Sequence, residues 1–241
     1  MPHFFIDSRN RVNNIITIND SENYRHIAKA LRARVGEKLL LIDEAQIQYE
    51  TKICKIVSSE IVCEIIDSYP SKRDLDFDLY LAQSPLRSDA QNLVVEKATE
   101  LGIHTLHPIY TDNCALAKDV INKKTEKWQK IMVESSKQCE RAVIPTCAPL
   151  TTLDNINIGE YDKILAFCER HTEFPLKNYL QVNPIKKGEK ILIIIGPEGG
   201  FSEKEFKLFE EKHFTKVSLG DLILRAETAV IVGLGNLIYE S

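Results

Sequence analysis

The stretch Ile191-Leu192-Ile193-Ile194-Ile195-Gly196-Pro197-Glu198-Gly199-Gly200-Phe201-Ser202-Glu203-Lys204-Glu205 decides the fold. Its apolar run, Ile191 to Ile195, is short and unbroken, which reads as a buried strand. Three glycines and a proline occupy the five positions 196–200, so the backbone there can approach a ligand closely. Ser202 and Glu205 stand at capping-box spacing and mark the start of a helix. Strand, tight turn and helix in succession predict an open α/β sheet. Such sheets bind ligands at the carboxyl ends of their strands.

A second segment repeats this layout. A short strand around Val217 to Leu219 is followed by Gly220, then by Asp221-Leu222-Ile223-Leu224-Arg225-Ala226-Glu227-Thr228-Ala229 entering an apolar helix. Two such loops at neighbouring strand ends can form one pocket for a small molecule. Working outward, strands are predicted at 77–82, 104–109, 162–168, 190–195 and 216–219. Helices are predicted at 89–101, 122–140, 203–212 and 226–239. Strands alternating with longer helical patterns indicate a parallel sheet.

Residues 1–70 have a different texture. Short alternating segments at Leu39–Ile42, Tyr49–Val57 and Ile61–Ile66 suggest a small β-barrel or a curled sheet. One helix, roughly Ser21 to Arg34, interrupts them and ends before Gly36. The expected organisation is therefore a first domain over 1–70, a linker at Lys72-Arg73-Asp74, and an α/β domain over 74–241.

Composition is that of a soluble enzyme, with 44% hydrophobic and 27% charged residues. No apolar stretch approaches the roughly 20 residues of a transmembrane helix, and the start is too short in its apolar part for a secretory signal. We therefore expect a cytoplasmic protein with no membrane contact. Cys54, Cys63, Cys114, Cys139, Cys147 and Cys168 form no CxxC pair, and are expected to be buried thiols in a reducing compartment rather than disulfides or metal ligands. A formal charge of −4 argues against nucleic-acid binding by bulk electrostatics, but leaves room for a local basic face. GPEGG lacks the lysine of a P-loop, and no GxGxxG follows a strand; Gly233-Leu234-Gly235 sits inside a helix. No GxSxG elbow or HExxH occurs. These absences speak against an ATPase, a dinucleotide oxidoreductase, a serine hydrolase and a metalloprotease.

Several polar clusters have two readings. In the helix from Ser88, Ser88 and Gln91 have capping-box spacing, and Ala90, Val94, Ala98 and Leu101 form the apolar stripe. Its Glu96, Lys97 and Glu100 make a solvated face, or else Lys97 or Glu100 organises the nearby site. Arg141, following Gln138-Cys139-Glu140, meets helix-end carbonyls or contacts a phosphate or base. Arg25, Lys29 and Arg32 fall at i, i+4 and i+7, with Arg9 and Arg11 nearby. They form a solvated basic face or an RNA-backbone footprint.

Glu96-Lys97-Ala98-Thr99-Glu100-Leu101-Gly102, Gln138 with Arg141, Ile195 to Ser202 with Glu205, and Leu219-Gly220 to Ala229 occur in that order. With His26, Leu31 and Arg32 in an "H…LR" pattern, they resemble the RsmE-type 16S ribosomal RNA uridine-N3 methyltransferases of the SPOUT superfamily. The resemblance covers nearly the whole chain. It implies a PUA-like β-barrel followed by a SPOUT-type α/β domain with a deep trefoil knot. It further implies S-adenosylmethionine as methyl donor, 16S ribosomal RNA or the small ribosomal subunit as partner, a homodimer, and no metal. On this resemblance the cofactor is held by Gly196, Pro197, Glu198, Gly199 and Gly200 of the first loop and by Ser218, Leu219, Gly220, Ile223 and Leu224 of the second. RNA would meet Arg9, Arg11, Arg25, Arg32 and Arg87.

The chain departs from that family at Pro85-Leu86-Arg87, where a lysine is usual and Arg87 is taken to supply the charge. It departs again at Tyr110-Thr111-Asp112-Asn113-Cys114, which lacks an arginine often found before the cysteine position. Methylating uridine N3 requires its proton to be removed or the resulting anion to be stabilised. Arg225 is the first candidate stabiliser and Arg141 the second; for each the competing reading is a structural ion pair. Glu198 and Glu227 satisfy turn N–H groups or lie near the sulfonium. A SPOUT enzyme with another RNA target or atom, and a non-catalytic RNA-binding assembly factor, are the alternative functions. The apolar helix Val230–Tyr239 is the expected dimer surface.

Overall fold

Residues 3–71, 74–170, 172 and 174–241 are described by the structure, a computed structural model of the chain. They gather into two units: the chain up to Asp74 with Ser136–Val143, and Leu75–Ser135 with Ile144–Ser241. Of the expected linker, Lys72 and Arg73 lie outside the described residues. Residues 136–143, read from sequence as part of the α/β domain, group with the first unit.

The first unit is a single sheet of six strands: β1 (His3–Phe5), β2 (Arg11–Val12), β3 (Ile15–Ile18), β4 (Lys38–Ile42), β5 (Ile47–Ile56) and β6 (Ile61–Pro70). Its order is β1-β4-β5-β6-β3-β2. Only β1 and β4 pair in parallel. Phe4, Ile16, Ile18, Leu39, Leu41, Ile53 and Ile61 come together as its core. The β5–β6 ladder shifts register between Glu50 and Thr51 and between Ile53 and Lys55, and such bulges bend strands and curl a sheet. Among the described residues β1 and β2, the outer strands of this order, do not pair with each other.

The helix expected over Ser21–Arg34 is shorter and partly of another kind. Asp20 caps α1 (Ser21–Tyr24) by accepting the Asn23 N–H at 2.8 Å. Arg25–Ala30 continues as a π-helical turn, with the Leu31 N–H on the His26 carbonyl at 2.9 Å. The chain then leaves the helix, and Arg32 has φ 53°. A π turn is wider than an α turn. The i, i+4, i+7 argument for one shared face of Arg25, Lys29 and Arg32 therefore does not hold, although all three are exposed.

The second unit is a seven-stranded, all-parallel sheet: β7 (Asp78–Gln83), β8 (Ile103–Pro108), β9 (Thr146–Cys147), β10 (Lys163–Phe167), β11 (Phe174–Pro175), β12 (Lys190–Ile195) and β13 (Thr215–Ser218). Its order is β11-β13-β10-β12-β7-β8-β9. The helices are α2 (Ser88–Glu100), α3 (Lys118–Gln138), α4 (Leu176–Val182), α5 (Glu203–Glu211) and α6 (Ala226–Tyr239). The long α/β elements match expectation, while β9, β11 and α4 were not anticipated. Central β12 is buried on both faces. Ile191, Ile193 and Ile195 pack with Val94, Ala98, Val230 and Leu234 of α2 and α6. Leu192 and Ile194 pack with Phe209 and Phe214 on the other side. No helix of the described residues is long and apolar enough to cross a membrane. All six cysteines are free; Cys63 and Cys168 are buried, but Cys54 is exposed, contrary to the expectation of uniformly buried thiols.

Candidate active site

The turn after β12 forms as its residues require. The Gly200 N–H closes a β-turn onto the Pro197 carbonyl at 2.9 Å, and Gly200 has φ 72°, which favours glycine. Gly196 is tightly faced: a Cβ there would lie 3.1 Å from the Phe201 ring. The capping box predicted for α5 is present. The Ser202 N–H meets Glu205 Oε2 at 2.8 Å and the Glu205 N–H meets Ser202 Oγ at 3.3 Å. The box predicted for α2 is absent. The residue before that helix is Arg87, without a side-chain cap, and Gln91 instead accepts the Leu86 N–H at 2.7 Å. Ser88 is the first residue of the helix rather than its cap, and has φ 25°.

At the carboxyl ends of β10 and β12 the two glycine loops enclose a cavity of about 550 Å³. Of the predicted loop positions, Gly196, Pro197, Glu198, Gly200, Ile223 and Leu224 line it. Leu219 and Gly220 line a smaller adjoining hollow of about 40 Å³ that shares Phe167, Glu169, Leu224 and Ala229 with the first. Gly199 and Ser218 line neither. A Cβ on Gly199 would meet Asn113 Cβ at 3.2 Å, and Ser218 ends β13 beside Pro175.

Arg225 and Glu227 also line the cavity. Arg225 is exposed and stands just before α6, where its carbonyl accepts the Ala229 N–H at 2.8 Å. Its guanidinium has no hydrogen bond or ion pair to a side chain among the described residues. Ala90, Phe167, Glu169 and Phe201 were missed in the sequence. Glu169 follows the carboxyl end of β10, a position that a ligand-binding α/β sheet singles out. Phe201 follows the glycines directly. The charged residues that line it are Glu169, Glu198, Glu227 and Arg225.

Arg141 is not brought to this cavity. It is 6% exposed and its guanidinium lies 3.2 Å from both Asp74 carboxylate oxygens, within the first unit. Lys97 pairs with Glu96 at 2.7 Å and Glu100 at 2.8 Å, which raises its pKa, the hydrogen bond to Glu100 contributing most. Neither Lys97 nor Glu100 lines the cavity. Arg9, Arg11, Arg25, Arg32 and Arg87 are exposed. Arg9 grips the Asp7 carboxylate at 2.5–3.0 Å, and this hydrogen bonding holds the Asp7 pKa down at about 2. Arg11 lies 5.2 Å from the centre of the Tyr49 ring and donates to its hydroxyl at 3.3 Å.

Comparison with known proteins accounts for both units. An RNA methyltransferase domain family matches residues 73–238, and an RNA methyltransferase PUA domain family matches residues 18–66. The chain belongs to this RNA methyltransferase family. Among its relatives is the ribosomal RNA small subunit methyltransferase E of Aquifex aeolicus, 29% identical over 93% of this chain and 94% of the other. The protein of the same name from Bacillus subtilis is 25% identical over 91% and 88%. Among solved structures, ribosomal RNA small subunit methyltransferase E from Neisseria gonorrhoeae, bound to S-adenosyl methionine, superposes with a TM-score of 0.83 at 24% identity, over 98% of this chain and 96% of that one. A probable rRNA-methyltransferase from Porphyromonas gingivalis reaches 0.82 at 20%, over 99% of each. These two likenesses carry the fold. The cavity of this RNA methyltransferase is thus built on the strand ends of its family's own domain.

Proposed function

We propose that the chain transfers a methyl group from S-adenosylmethionine to N3 of a uridine in 16S ribosomal RNA, presented as RNA or within the small subunit. The carrying observation is the cavity between the two glycine loops. Its volume lies in the range of small-molecule sites. Three acidic residues against one arginine in its lining suit a ligand bearing a sulfonium and an ammonium. Phe167, Ile195, Phe201 and Leu224 supply apolar walls for the rest of such a molecule. The names of the Aquifex and Bacillus relatives support the RNA target.

The methyl donor supplies an electrophilic methyl on a positively charged sulfur. The chain's own task is to hold the uracil in line with that methyl and to favour its anion. The N3 proton passes to a carboxylate or a water, the N3–methyl bond forms as the sulfur–methyl bond breaks, and the donor leaves as a neutral thioether. Arg225, lining the cavity with no side-chain partner among the described residues, is placed here as the group that stabilises charge developing on a uracil oxygen. The ion pair with Asp74 supports the structural reading of Arg141, so Arg141 is the weaker candidate. Proximity and alignment supply much of the acceleration, and no protein nucleophile is required. Exposed Arg9, Arg11, Arg25 and Arg32 of the first domain, with Arg87, are assigned to RNA phosphates.

Two architectural features belong to the same proposal. The first is a SPOUT-type trefoil knot. It is carried by the family resemblance and runs against the usual rule that chains do not thread loops; in the sheet β10 separates β12 from β13, and α6 packs against α2 and β12. The second is a homodimer through the second domain. Leu222 and Ile223 are 81% and 66% exposed, and Ile231, Val232 and Ile238 of α6 are only half-buried. A mass matching two chains in light scattering supports the dimer, whereas a fully active monomer refutes it. The catalytic assignment is tested by Arg225→Ala in single-turnover methylation. Donor and RNA should still bind, with transfer falling on the order of a hundredfold; an unchanged rate removes Arg225 from the mechanism.

A further inference from the structure

The segment Thr111-Asp112-Asn113 is bonded to both sides of the glycine turn. Asn113 Nδ2 donates to the Gly200 carbonyl at 3.1 Å and lies 3.4 Å from the Gly199 carbonyl. The Asp112 N–H donates to Glu205 Oε1 at 3.0 Å, and the Ser202 hydroxyl donates to Asp112 Oδ2 at 2.6 Å. On the other side the Thr111 and Ser84 hydroxyls pair at 2.7 Å, while the Ser84 N–H reaches the Ile195 carbonyl at 3.1 Å. Three successive residues thus tie the end of β7, the end of β12 and the cap of α5 around one turn.

We infer that Asn113 is a positioning residue for the methyl-donor site, a neutral amide clamp that fixes the direction of the Gly199–Gly200 and Gly200–Phe201 peptides, Gly200 and Phe201 being the residues of this turn that line the cavity. A trans peptide carries its N–H opposite its carbonyl. Holding the Gly200 carbonyl therefore sets where the Phe201 N–H points, and holding the Gly199 carbonyl does the same for the Gly200 N–H, which closes the β-turn on Pro197. Asn113 does not itself line the cavity, so its influence on a ligand passes through the turn. The fit on the other side is equally close, since a Cβ on Gly199 would press on Asn113 Cβ at 3.2 Å. An amide is required because both partners are acceptors. A carboxylate of the same shape would turn each attraction into repulsion.

This inference rests on the methyl-donor reading of the cavity, and the test separates the two. Asn113→Asp keeps the shape and loses the donor, Asn113→Ala removes both, and Asn113→Gln keeps a donor on a longer stem. With S-adenosylmethionine as calorimetric probe, Asn113→Asp should weaken binding by about tenfold or more, Asn113→Gln less. The KM for the donor should rise while kcat at saturation stays near wild type, and RNA affinity should not change. Equal donor affinity in Asn113→Asp and wild type overturns the clamp, as does a loss of donor and RNA binding together with the fold. Wild-type protein that binds no S-adenosylmethionine refutes the methyl-donor reading instead. The clamp is then judged by amide exchange at Gly200, which Asn113→Asp should accelerate; unchanged exchange overturns it.

Discussion

Gly233→Ala places a single methyl group where the cavity wall and α6 meet. Gly233 is buried, and a Cβ there would lie 2.6 Å from Phe167 Cε2 and 3.1 Å from Cζ. The ring must retreat by about 1 Å to regain an ordinary carbon–carbon distance. Phe167 ends β10 and borders both hollows of the site, so its displacement alters the space a ligand occupies. Alanine gains about 0.8–1 kcal/mol over glycine in a helix interior. Overpacking a filled core costs about 1–3 kcal/mol. The net expectation is a loss of about 1 kcal/mol, which in a chain of this size lowers Tm by about 2–4 °C. Donor affinity should fall severalfold in calorimetry. Gly235→Ala is the comparison, because nothing in the chain lies within 4 Å of a Cβ at that position; within one chain only the helix gain of up to about 1 kcal/mol applies, to which the proposed dimer adds whatever α6 of the partner meets. If both variants raise Tm and bind the donor like wild type, the close approach of α6 to Phe167 is not what requires glycine at 233.

Gly200→Val forces a branched side chain into φ 72° at the cavity wall; it should abolish donor binding with circular dichroism unchanged, and unaltered affinity would remove the turn from the site. Arg25→Ala should lower the salt slope of RNA binding by about one unit if its side chain meets one phosphate. Arg9, already held by Asp7, should show a smaller change, and identical slopes for the two variants would contradict that competition. Burial raises the Cys63 thiol to about 11, against about 8.5 in an unfolded chain. The stabilisation this confers is complete below the lower value and is lost as pH rises through the higher one. Denaturant midpoints of the reduced protein should therefore fall more steeply from pH 8 to 10.5 in wild type than in Cys63→Ala; parallel declines would show that Cys63 does not contribute.

The second unit was legible because its signals are local. The short run Ile191–Ile195, β-branched and bounded by a glycine turn, favours a strand covered on both faces, and Ser202 with Glu205 cap the helix that follows within one local stretch. The same spacing failed at Ser88 and Gln91, where Gln91 is drawn instead to the Leu86 N–H. The π turn at Arg25–Ala30 leaves no mark in residue type, and it carried away the reasoning that put Arg25, Lys29 and Arg32 on one face. Short β9 and β11 exist because neighbouring strands offer them partners, not because two residues carry a pattern. Glu169 and Asn113 reach the site from distant parts of the chain, through an adjacent strand end and a loop, and such proximity becomes visible only once the strand order is known.

The central claim is methyl transfer from S-adenosylmethionine to uridine N3 in 16S ribosomal RNA. Purified protein incubated with methyl-labelled donor and either protein-free 16S RNA or small subunits from a strain lacking the enzyme, followed by nucleoside analysis of the digested RNA, tests it most directly. The account predicts label in a single 3-methyluridine, with at least one of the two substrates accepting it and Arg225→Ala reducing the rate on the order of a hundredfold. Label in a different nucleoside or atom would contradict the assigned chemistry, and no incorporation into either substrate by protein that binds the donor would contradict the assigned target.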